Sequence, residues 1–123
     1  MIAVKQGTQE PINFTLKYQD APVDLSGNTI VFQVKIYPEQ TENFLVEKNI
    51  TETSDPYEDG NIYNATGGKF NVFLKEEDTL NLCTEQVYYY ALWRVRNIGT
   101  EEETRECISS NAKDITEFRV CPA

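Results

Sequence analysis

Enzyme chemistry near neutral pH needs groups that titrate or attack there, and this sequence is poor in them. It contains no histidine. That removes the commonest general base, the Ser–His and Cys–His nucleophile pairs, and most zinc sites. No Gly-x-Ser-x-Gly elbow, P-loop or Gly-x-Gly-x-x-Gly fingerprint occurs. Carboxylates are plentiful, and Glu76, Glu77 and Asp78 stand in a row. A carboxylate pair can cleave a glycosidic bond only when the two flank the sugar ring. Three neighbours in one turn cannot, and they read as a solvated turn. Asp55, Glu58, Asp59, Gly60 and Asn61 invite a calcium reading. Counted from Asp55, Asp59 and Gly60 fit the calcium-loop pattern. Tyr57 falls where an oxygen donor is needed, however, and Thr66 falls where a glutamate should close the site. The expectation is therefore no catalytic residue, no metal and no cofactor.

The three cysteines, Cys83, Cys107 and Cys121, are odd in number and lack Cys-x-x-Cys spacing. They read as free thiols of a reducing compartment, with a Cys83–Cys121 bridge as the alternative. Asn13, Asn49 and Asn64 each open an Asn-x-Thr triplet. With no secretion signal visible at the N-terminus, these read as composition rather than glycosylation sites.

The sharper feature is aromatic. In Val87–Arg96, "VYYYALWRVR", strand alternation sets Tyr88, Tyr90 and Leu92 against Val87, Tyr89, Ala91, Trp93 and Val95. Both sets are apolar, yet only one needs to face the core. Tyrosine flanked by arginine is a common interface composition. The candidate interface is therefore Phe73, Tyr88, Tyr90, Leu92, Arg94 and Arg96. Coverage by the 49–68 loop or by a neighbouring strand is the competing reading.

The elements that would position these residues are strands. Period-two alternation runs through Ile12–Tyr18, Thr29–Tyr37, Lys69–Lys75 and Val87–Arg96. Weaker strands are expected at Ile2–Lys5, Phe44–Ile50, Glu103–Ile108 and Phe118–Val120. A helical turn fits residues 75–82, with Asp78 or Thr79 as cap. Pro11, "DAP", "SGN", Pro38, Pro56, "DGN" and "GG" punctuate the runs, and Gly27 and Gly67 or Gly68 suit positive φ. Seven to eight short antiparallel strands with regular turn signals predict an all-β, immunoglobulin-like sandwich.

The 123 residues suit one domain, 1–123. Twenty acidic against eleven basic residues give a formal charge of −9. That argues against nucleic acid or an anionic membrane as partner. No apolar run reaches the roughly 18 residues of a membrane span.

Two stretches carry a family resemblance. "VKQGTQEPINFTLKYQDAPVDLSGNTIVFQVK" resembles the N-terminal domain of phage baseplate upper proteins and related tail-fibre anchors, through Gln6, Gly7, Pro22, Val23, Asp24, Leu25, Ser26, Gly27 and Val31. "GGKFNVFLKEEDTLNLCTEQVYYYALWRV" resembles a later block of that family through Gly68, Phe70, Val72, Asp78, Thr79 and Tyr88 to Tyr90. Glu85 and Gln86 stand where the family carries a glycine before the tyrosine. The resemblance implies a non-enzymatic tail or baseplate component, assembled in the bacterial cytoplasm into a virion. Its partners would be other tail proteins, or further copies of itself. A carbohydrate- or cell-surface-binding module is the alternative, with Tyr57, Tyr88 and Tyr90 as stacking platforms. The same residues carry physical roles. Leu25 is placed to plug one end of the core. Tyr88 or Tyr90 is placed to pin a sheet-to-sheet crossover by its hydroxyl.

Overall fold

Each alternating run becomes a strand in the computed structural model, which describes residues 1–109 and 116–122. In chain order the elements are β1 (Ile2–Lys5), β2 (Glu10–Thr15), β3 (Lys17–Tyr18), β4 (Ala21–Pro22), β5 (Thr29–Lys35), β6 (Val46–Ile50), β7 (Lys69–Leu74), α1 (Glu76–Leu80), β8 (Val87–Arg96), β9 (Thr104–Cys107) and β10 (Glu117–Cys121). One layer is a sheet in the order β1-β10-β8-β5-β6, with β9 also paired to β8. The other is the pair β2–β7 with the small β3–β4 hairpin. The fold is the expected all-β sandwich.

Three details go beyond the sequence reading. Strand pairing is antiparallel except for β1 on β10, which is parallel. The Ile12–Tyr18 run divides at Leu16 because its partner changes there: Leu16 donates its N–H to Gly68 and accepts from Val23. β4 lies in a stretch taken for a pure breaker. Gln19 and Asp20 both adopt positive φ, 50° and 65°, and make the tight two-residue loop that lets Ala21–Pro22 pair with Lys17–Tyr18.

Between the layers lies one core. Ile30, Phe32 and Val34 of β5 and Phe118 and Val120 of β10 meet Phe70, Val72 and Leu74 of β7, all buried to 1% exposure or less. Phe14 stacks on Phe70 at 5.2 Å, and Phe32 lies 6.1 Å from Tyr90 and 6.3 Å from Phe118. Each such side chain contributes roughly 1.5–3 kcal/mol relative to exposure. Leu25 is fully buried at one end, held by a turn in which Asp24 Oδ1 accepts from the Ser26 amide (2.9 Å) and hydroxyl (2.6 Å). Those two bonds hold the Asp24 carboxyl below its ordinary range, and Arg94 adds to the effect. At Gly68, φ is +67° and a Cβ would collide with the Leu16 carbonyl oxygen, so glycine is required there.

The crossover into β8 is pinned twice. Tyr88, rather than Tyr90, supplies the hydroxyl: the Cys83 amide donates to it at 2.8 Å. Asp78 caps α1 from inside its first turn, accepting from the Lys75 amide at 2.7 Å, and it also pairs with the buried Lys48 at 2.7 Å. Lys48 Nζ donates further to the Glu58 carbonyl, tying β6, α1 and the 49–68 connection together.

Candidate functional site

β8 decides the site, and its neighbour β5 decides which way β8 faces. The core residues of β5 are Ile30, Phe32 and Val34, and the register sets Phe32 opposite Leu92 and Val34 opposite Tyr90. Opposed residues in an antiparallel pair share a face. Tyr88, Tyr90 and Leu92 therefore turn inward. Gln33 opposite Ala91 and Lys35 opposite Tyr89 turn outward, together with Trp93.

This corrects half of the interface expected from sequence. Tyr88 and Leu92 are core residues, each 5% exposed. Tyr90 stacks on Phe32, and burial pushes its hydroxyl above the ordinary tyrosine range. Phe73 is buried at 8% exposure, with Tyr57 of the 49–68 connection edge-on at 5.8 Å. The apolar demand of Phe73, Tyr88 and Leu92 is met inside the chain, while Tyr90 is only partly buried. Arg94 is also engaged: its Nε donates to Asn28 Oδ1 at 3.2 Å and its Nη2 to the Asp24 carbonyl at 3.0 Å. Of the six, only Arg96 is fully exposed. The tyrosines proposed as a sugar platform are likewise scattered, with Tyr88 in the core, Tyr90 partly buried against it and Tyr57 on the other layer.

The outward face of β8 carries Tyr89, Ala91 and Trp93, and Val31 of β5 stands opposite Trp93. Trp93 is half-buried and divides two hollows. One, about 220 Å³, is lined by Tyr89, Ala91, Lys35, Pro38 and Cys107, and Tyr90 of the expected interface reaches it too. The other, about 270 Å³, is lined by Gln33, Phe44, Glu47 and Arg105. A short polar chain fixes the ring: Trp93 Nε1 donates to Gln33 Oε1 at 3.2 Å, and Gln33 Nε2 donates to Glu47 Oε2 at 3.2 Å. Lys35 sits 5.8 Å above the Phe44 ring and donates to the Pro38 carbonyl. The alternation in "VYYYALWRVR" exposed this second face to reading. What sequence alone lacked was the register against β5, whose polar Gln33 and Lys35 mark the side that faces outward.

Elsewhere the candidate carboxylates are occupied by structure. Asp55 Oδ1 accepts from the Tyr57 amide, Asp59 Oδ2 accepts from the Asn49 amide, and Glu58 pairs with Lys75 at 2.7 Å. Hydrogen bonds to Glu58 and then Glu77 hold the Lys75 amine above the ordinary lysine range. Among the described residues no three His, Cys, Asp or Glu side chains gather as a metal-ligand set. The three cysteines are free and exposed. No described helix is long and apolar enough to cross a membrane.

No family model matches the chain, and no curated protein does either. Among solved structures, one chain from a study of T cell specificity and activation by the bacterial superantigen toxic shock syndrome toxin-1 superposes with a TM-score of 0.45. The identity is 15%, over 97% of this chain and 91% of that one. So distant a likeness carries no functional inference.

Proposed function

We propose that this chain is a non-enzymatic building block that docks other proteins through the outer face of its large sheet. The carrying observation is Trp93, partly exposed between two hollows and locked by Gln33 and Glu47. Aromatic anchors with fixed rotamers lose little entropy on binding and dominate interface energies. The resemblance of Gln6–Gly7, Pro22–Gly27 and the Gly68–Tyr90 block to baseplate upper proteins supports a phage or prophage tail as the setting, and neighbouring tail proteins as the partners. The lack of histidine supports a role without bond chemistry.

Size-exclusion chromatography and cross-linking with the tail or baseplate proteins encoded alongside it test this reading. A complex that forms with the parent and is lost with Trp93→Ala is expected. A chain that stays monomeric and binds none of them would contradict it.

A further inference from the structure

The smaller layer has two edges, and the chain treats them differently. β7 gives alternate backbone groups to its own connection: Phe73 donates to the Asp59 carbonyl (3.1 Å), Asn71 to Asn61 (2.9 Å) and Lys69 to Asn64 (2.9 Å). The approach is close enough that a Cβ at Gly60 would strike the Asn71 carbonyl oxygen. The odd-numbered residues of β7 thus face this connection, and Phe70, Val72 and Leu74 face Phe14, Ile12 and Glu10 of β2.

By the same alternation the backbone groups of the odd-numbered residues of β2, and the amide of Lys17 that follows, point away from β7. Among the described residues, the sheet ends there. The free edge offers the carbonyl of Pro11, both backbone groups of Asn13 and Thr15, and the amide of Lys17. Beside it, Ile12, Phe14 and Leu16 are only partly buried, although Val72 and Phe70, the neighbours of Ile12 and Phe14 on β7, are almost completely so. The core is therefore unfinished along this edge.

The side chains on the solvent face of this edge define what could finish it. Thr15 pairs in register with Lys69, and Lys17 follows two residues on. Neither lysine has an ion-pair partner among the described residues, although the chain as a whole carries −9. Pro11 has no N–H to give, and Lys17 puts a charge at the other end. Proline and lysine on an edge discourage indiscriminate pairing. Here they leave a short, bounded acceptor between them.

We infer that the free edge of β2 and β3, from Pro11 to Lys17, is a second docking site that accepts an extended acidic segment of another protein as an added strand. Its main chain pairs with Asn13 and Thr15. Its apolar side chains, at alternate positions, complete the cover over Ile12 and Phe14. Its carboxylates, on the other face, meet Lys17 and Lys69. Backbone pairing supplies affinity and alternate side chains supply selectivity, as in other strand additions. The site lies on the opposite layer from Trp93 and stands without that face.

Residue-resolved amide hydrogen exchange on the full chain tests it, using an eight-residue peptide of alternating valine and glutamate, a valine–lysine counterpart, and no peptide. The glutamate peptide is expected to slow exchange at Asn13, Thr15 and Lys17 by roughly tenfold or more, as newly bonded amides should. The lysine peptide should not. Thr15→Pro removes one outward N–H and should abolish the protection. Should that variant unfold, the Lys17→Glu, Lys69→Glu pair leaves the backbone intact and should reverse the peptide preference. Three results would overturn the inference: no slowing at these amides at saturating peptide, equal slowing by both peptides, or slowing without peptide in a chain that sediments as a dimer. The last would assign the edge to a second copy.

Discussion

The two faces of β8 have nearly the same composition and opposite duties. Inward, Tyr88, Tyr90 and Leu92 meet Phe32, Phe118 and the core. Outward, Tyr89, Ala91 and Trp93 meet Gln33, Lys35 and open hollows. Aromatic content alone does not mark an interface. The difference lies in the neighbouring strand: Ile30, Phe32 and Val34 of β5 line the inward side, whereas Val31 opposite Trp93 shares the outward side with the polar Gln33 and Lys35. A Trp or Tyr becomes available to a partner when its own sheet neighbours cannot bury it.

Substitutions on either side of β8 separate the two duties. Leu92→Ala should lose about 2–5 kcal/mol in denaturant unfolding, as fully packed leucines do. Trp93→Ala, one residue away, should lose about 1 kcal/mol or less, as a partly exposed site outside the core. Equal losses would break the comparison.

Asp78→Asn comes next. It leaves the buried Lys48 ammonium without its charged partner at the crossover into β8, with only the Glu58 carbonyl to accept from it. Breaking a buried pair from one side costs about 3–5 kcal/mol. The partial exposure of Asp78 reduces that to about 2–3 kcal/mol. Tyr88→Phe keeps the ring and removes the acceptor of the Cys83 amide. A loss of about 1–2 kcal/mol is expected, with the outer face unaffected.

The smallest effect concerns alkaline pH. Burial raises the Tyr90 hydroxyl in the folded chain above its unfolded value of 10.0. The unfolded chain then loses its proton first. Stability attributable to Tyr90 is fully present below the unfolded value and is lost as pH rises through the folded one. Melting temperatures from pH 9 to 11 should fall less for Tyr90→Phe than for the parent. Identical slopes would place Tyr90 in a more solvated position than the core side of β8.

Much of this fold was legible because alternation is local. Val87–Arg96 and Ile2–Lys5 form strands with the limits read from sequence, and Leu25 plugs the core where "PVDLSG" suggested. What failed to show depends on residues distant in sequence. The break at Leu16 exists because Gly68 and Val23 meet it from elsewhere. Phe73 is hidden by Tyr57, sixteen residues upstream. The outward set of β8 was missed because alternation divides a strand into two sets without saying which is inward. Only the pairing of Phe32 with Leu92 says so.

Trp93 is the only tryptophan in the chain, so its fluorescence reports directly on the proposed face. Acrylamide quenching should be followed while the protein is titrated with the tail or baseplate proteins encoded beside it. Quenching should fall in step with complex formation, because a partner seated on the outer face shields the indole. A complex that forms while quenching stays at its starting value would contradict the assignment of that face.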